Sequence, residues 1–165
     1  MKKQFLIVMI FFFSFMITGC NVIEEWKAER IIKEYYQAII DENYDKAFKQ
    51  LQLYDYNSKT EIGHFTEGTT LSNKEAKAFY LKKIHVLKEQ KYKLIDFEIV
   101  EVEYEDGHSF WHHIKLKGEQ DGQKFEWREV ADIYKGKLVI SEKDDPNTKY
   151  RDGKMYFEIE ELKEN

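Results

Sequence analysis

His112 and Glu129 are the pair in this chain whose types suit proton transfer. Asp121-Gly122 reads as a two-residue hairpin loop. Pairing outward from it sets Leu116 against Trp127, Ile114 against Glu129 and His112 against Ala131. One sheet face then carries Phe110, His112, Ile114 and Leu116 beside Phe125, Trp127, Glu129, Ala131 and Ile133. Only His112 and Glu129 are polar there, and they sit on a diagonal of about 7–8 Å, within side-chain reach. With Tyr35, Tyr36, Tyr80 and Trp127 they would line a cavity, as an acid–base couple or as a ligand anchor. The plainer alternative is a buried, mutually satisfied polar pair.

Other chemistry is thin. His108, His112 and His113 look like a metal cluster in print, but on a strand His108 and His112 lie about 13 Å apart, and His113 points to the other face. We therefore expect no metal and no cofactor. No Gly-rich phosphate loop, nucleophile elbow, zinc-ligand pair or calcium-loop pattern occurs.

Cys20 is the sole cysteine, and the chemistry expected of it is modification. It follows Met1-Lys2-Lys3-Gln4, an apolar run from Phe5, and Gly19, which is the layout of an export signal. The run Phe5–Thr18 would rise only about 21 Å as a helix, too short for a hydrocarbon core of about 30 Å. Ile17-Thr18-Gly19-Cys20 resembles the lipobox of bacterial lipoproteins, with Ile17 and Thr18 where Leu and Ala or Ser are usual. The resemblance implies that residues 1–19 are cleaved, that Cys20 carries a diacylglyceryl group, and that residues 20–22 are a short tether. Two acyl chains suffice for stable anchoring. The expected location is the cell membrane, facing the outside of the cytoplasm.

The elements that must position these residues fall within 23–165, a length for one domain. Net charge is −5 and becomes more negative once Lys2 and Lys3 are removed, which argues against nucleic acid as a partner. Ile31, Tyr35, Ala38 and Ile39 recur at helical spacing over Val22–Ile40, and Asn43 caps a second helix with Tyr44, Ala47, Phe48 and Leu51 inward. Asp55–Leu71 reads as a surface connection with a short strand at Lys59–Phe65. Ser72 to Glu75 is a capping box for a third helix, with Ala76, Tyr80, Ile84 and Leu87 inward. Beyond Lys91 the period becomes two, giving strands at Tyr92–Glu105, Ser109–Lys117, Gln123–Tyr134 and Leu138–Glu142. Asp106-Gly107 is the first hairpin signal. A phase change near Ile99-Val100 predicts a bulge that turns Glu101 to the other face. Asp144–Gly153 reads as a polar tail, with a last edge strand at Met155, Phe157 and Ile159. Helices followed by an antiparallel meander make an α+β domain, three N-terminal helices packed on one sheet face.

Ile31 to Ile39 (Ile-Ile-Lys-Glu-Tyr-Tyr-Gln-Ala-Ile) and Asp41 to Phe48 (Asp-Glu-Asn-Tyr-Asp-Lys-Ala-Phe) resemble the aromatic first helix, acidic turn and aromatic-plus-alanine second helix of the nuclear transport factor two-like superfamily. The resemblance implies a cone-like curved sheet, and it includes ketosteroid isomerase and polyketide cyclases. Tyr35 or Tyr36 would match the tyrosine of the isomerase site, but no aspartate stands on the apolar face as its base. The transfer fails there. The opposite face, with Val102, Tyr104, Trp111, His113, Val130 and Tyr134, is aromatic-rich enough for a homodimer or envelope-protein contact. The resulting expectation is a non-catalytic small-ligand-binding or protein-interaction domain. Its alternative is a tethered enzyme of the isomerase or cyclase type using the cavity His and carboxylate.

Overall fold

The computed structural model describes residues 23–57, 62–104 and 110–156. Cys20, the signal-like run, the Asp106-Gly107 turn, His108, Phe157 and Ile159 lie outside them. The described chain is α+β, with three α-helices and a four-stranded antiparallel sheet.

Helix α1 (residues 23–40) buries Ala28, Ile32, Tyr35, Tyr36 and Ile39, spaced to fall on one side. It ends at a tight corner in which Glu42 takes a left-handed φ of 54°. The Asn43 side chain then accepts the Lys46 amide at 3.1 Å and starts α2 (Tyr44–Gln50). Helix α3 (Asn73–Glu89) opens on the expected capping box: Ser72 accepts from the Glu75 amide, and the Glu75 carboxylate accepts from that of Ser72. Its buried stripe is Ala76, Tyr80, Lys83, Ile84 and Leu87, a lysine among apolar residues.

Strands β3 (Lys93–Tyr104), β4 (Phe110–Gln120), β5 (Gln123–Tyr134) and β6 (Lys137–Lys143) are neighbours in that order. Asp121 and Gly122 both have positive φ, as do Lys135 and Gly136, so two-residue loops join β4 to β5 and β5 to β6. The first loop sets the expected register: Leu116 opposes Trp127, Ile114 opposes Glu129, His112 opposes Ala131. The bulge between Ile99 and Glu101 is also present, and a second falls between Leu94 and Asp96. Gly118 is required by the sheet. A Cβ there would lie 2.2 Å from the ring of Phe125, which covers this backbone and stacks on Tyr92 with centroids 5.3 Å apart.

The region after β6 departs from expectation. Asp144–Gly153 is not a surface tail. Asp145, Asn147, Thr148, Tyr150, Arg151 and Asp152 are all buried, around a single 3-10 turn at Thr148–Tyr150. The strand after it, β7 (Lys154–Met155), runs parallel to β1 (Tyr54–Asn57), which also pairs with β2 (Ile62–Gly63). Within the window Lys59–Phe65, the described residues place a strand at Ile62–Gly63, and β1 precedes it. Gly153 makes the close approach: a Cβ there would stand 1.8 Å from the carbonyl oxygen of Gln52.

Candidate functional site

Glu129 sits on the inner face of β5, where its neighbours in the pleat, Trp127 and Ala131, pack in the apolar core. A lone carboxylate in such a place is costly unless charged and hydrogen-bonded partners surround it. The partners come from two elements. Tyr36 of α1 donates to Oε2 at 2.6 Å. The buried segment supplies the rest: Arg151 Nη1 donates to Oε2 at 3.1 Å, while Arg151 Nη2 and the Thr148 hydroxyl donate to Oε1. Four donors therefore meet a group with about four acceptor sites.

Arg151, the largest fully buried side chain, is shared further. Its Nη2 also reaches Asp145 Oδ2 at 3.2 Å, which accepts the Tyr92 hydroxyl at 2.5 Å. Tyr35 donates to the Arg151 carbonyl at 2.7 Å, and the guanidinium carbon lies 6.0 Å from the centre of the Tyr36 ring. Burial works against the Arg151 charge, but Glu129 together with Tyr92, Tyr35 and Tyr36 outweighs it and holds the guanidinium protonated well beyond its usual range. Burial foremost, then Glu129, raises the Tyr36 phenol. Burial likewise raises Tyr35, Tyr80 and Tyr92. One turn away, Lys83 of α3 donates to the carbonyls of Asp152 (2.7 Å) and Lys154 (2.8 Å) and to Asp152 Oδ1 at 3.1 Å. It fixes the far end of the same segment.

Of the residues expected to line a cavity, Tyr35, Tyr36, Tyr80, His112 and Glu129 are fully buried and Trp127 is half-buried. Tyr36 and Glu129 do meet, in a hydrogen bond. The carboxylate is not held open for a ligand, however, because Arg151 fills the space in front of it. His112 is on the same face, and the cation seated on Glu129 is the arginine. An open groove of about 770 Å³ lies elsewhere, between α1, α2 and β3. Its lining, which includes Trp26, Arg30, Glu34 and Phe97, is partly charged. No group of three or more His, Cys, Asp or Glu among the described residues is placed to hold a metal.

The outer-face cluster is corrected by the bulge. Val102 pairs with His112 and Tyr104 with Phe110, so both lie on the helix side of the sheet. The Tyr104 hydroxyl donates to Glu25 of α1 at 2.8 Å, and Val102 lines a cleft with Glu29 and Lys33. Trp111 and His113 do share the outer face, opposite Glu103 and Glu101, and His113 lies 3.1 Å from Glu103. Val130 is buried, and half-buried Tyr134 packs edge-on against Phe65 at 5.2 Å. Beside Trp111 and His113, the same face carries the ion pairs Lys115–Glu126 and Lys117–Asp96.

Arg151, Asp145 and Lys83 were missed by the sequence reading. Lys83 carried a signal: it falls at i+3 from Tyr80 on the apolar stripe of α3, where a lysine needs a buried acceptor. Arg151 carried a weaker one, since Glu129 on an apolar face requires a cation from somewhere in the chain. No protein-family model matches the chain, and no curated protein is similar to it.

Proposed function

We propose that this chain is a lipid-anchored extracytoplasmic protein whose folded part, a helix-on-curved-sheet domain of the nuclear transport factor two-like kind, acts by contact with another protein rather than by catalysis. The observation that carries the second half is the state of Glu129. Both its oxygens are engaged by Tyr36, Thr148 and Arg151, so it has no lone pair directed at a substrate proton. A tethered isomerase or cyclase would need that carboxylate, or fully buried His112, to meet its substrate. The same plug argues against a small ligand in the cone. What remains for a partner is the outer sheet face around Trp111 and His113, with its rim of ion pairs.

The anchoring half rests on the position of Cys20 after the signal-like run. No helix among the described residues is long and apolar enough to cross a membrane. In cells fed labelled palmitate, the wild-type chain should take up label and fractionate with membranes, whereas Cys20→Ser should do neither. Native mass spectrometry of the detergent-extracted chain should show no retained small molecule. Recovery of an apolar guest, or a membrane-bound Cys20→Ser chain, would overturn the corresponding half.

A further inference from the structure

The three most exposed large apolar side chains of the described residues are Trp26 (75%), Ile23 (57%) and Tyr104 (53%). The first and second of these are neighbours. Ile23 and Trp26 are one turn apart on α1, whereas Tyr104 donates to Glu25 on the sheet-facing flank of the same turn. On the helix, Ile23 and Trp26 point away from Ala28, Ile32, Tyr35 and Tyr36, so they share a face with Arg30 and Lys33 and contribute nothing to the core stripe. Single exposed apolar residues are ordinary, whereas the two most exposed ones side by side on one helix face point to a surface that something covers.

We infer that this corner is a foot seated in the surface of a lipid bilayer, an inference that rests on the lipid anchor proposed for Cys20. The occupant follows from chain length. Ile23 stands three residues after Cys20, a reach of about 10 Å at most, and Trp26 adds about 4.5 Å of helix rise. An acyl group on Cys20 therefore holds the corner against the membrane, whose headgroup layer is itself roughly 5–8 Å thick on each side. Trp is a side chain that favours that layer, with an apolar ring toward the acyl chains and a polar N–H toward water. The charges nearby set the character of the contact. Glu24, Glu25 and Glu29 face Lys27 and Arg30 over the first two turns, so there is no basic cluster to draw anionic headgroups. The seat is apolar and insensitive to salt. It orients the domain, holding α1 at the bilayer and leaving the outer sheet face around Trp111 free.

The test uses the full-length protein purified from membranes, after palmitate labelling, in vesicles of phosphatidylcholine and phosphatidylglycerol. The phosphatidylcholine is brominated near the carbonyl end of its acyl chains. The signal is the difference in tryptophan emission between wild type and Trp26→Phe, which isolates Trp26 from Trp111 and Trp127. The expected result is a loss of that difference emission in brominated vesicles relative to unbrominated ones, unchanged on raising salt. A palmitate-labelled protein whose Trp26 emission survives bromination overturns the foot while leaving the anchor in place, and assigns the corner to a protein partner. A quenching abolished by salt overturns the apolar seat. Absence of palmitate overturns anchor and foot together.

Discussion

Residues 145–152 and the first turn of α1 are opposites. The former are mostly polar and, but for Pro146 and Lys149, buried, whereas Ile23 and Trp26 are apolar and exposed. Average hydropathy places both wrongly. What decides burial in the first is pairing. Arg151 answers Glu129 and Asp145, Lys83 answers Asp152 and two carbonyls, and the hydroxyls of Tyr35, Tyr36 and Tyr92 close most of the remaining valences. What decides exposure in the second is that α1 already has a complete apolar stripe on its other side. Polar residues can build an interior when their partners are all present, and apolar ones outside it point to a contact beyond the chain.

The comparison breaks most visibly at Arg151. Arg151→Ala leaves Glu129 and Asp145 buried without their cation, and loss of one partner of a buried pair costs about 3–5 kcal/mol. Urea unfolding followed by circular dichroism should show a fall of that size, and an effect no larger than that of a surface substitution would mean that the segment is not part of the core. Gly153→Ala attacks the same segment sterically. Its Cβ would overlap the Gln52 carbonyl, and the backbone there also carries the hydrogen bond from the Tyr54 amide to the Gly153 carbonyl. The expected loss is roughly 1–3 kcal/mol, the range for overpacking.

These two variants also mark where the sequence was legible. The β4–β5 register followed from Asp121-Gly122 because a two-residue loop fixes every pair behind it. The bulge at Ile99 to Glu101 followed from a break in alternation. Helix caps at Asn43 and Ser72 are local chemistry, and both formed. The plug was not legible in the same way. Its stability comes from contacts between residues far apart in the chain, such as Lys83 with Asp152 and Glu129 with Arg151, and a local window over Asp144–Gly153 shows only polarity. The sides of Val102 and Tyr104 were misplaced for a related reason. The bulge that turns Glu101 outward also carries Val102 and Tyr104 inward, because one extra residue reverses the face of everything beyond it.

Alkaline titration probes the interior on a finer scale. Tyr35, Tyr36, Tyr54, Tyr80 and Tyr92 all have phenols raised in the folded state, chiefly by burial. In the unfolded chain they ionise near the usual value of about 10. As pH rises past that value the unfolded state loses protons first, so stability is intact below it and declines above it. The share of tyrosinate absorbance that belongs to these five should therefore appear cooperatively, together with the loss of circular dichroism. A tyrosinate rise that is complete before unfolding would show that these hydroxyls reach solvent in the native state.

The smallest effect belongs to the exposed side of the comparison, and its smallness is the point. Trp26→Ser removes the most exposed large apolar side chain of the described residues. Since Trp26 lies opposite the buried stripe of α1, the unfolding free energy of the soluble Cys20→Ser chain should change by no more than about 0.5 kcal/mol, as for surface sites without special contacts. In the acylated form proposed above, the same substitution should instead alter its orientation at the vesicle surface, read as increased access of protease to the α1 side. A loss of stability well above that limit in the soluble chain would show that Trp26 serves the fold through the groove it borders with Phe97, and the two regions would then differ only in polarity.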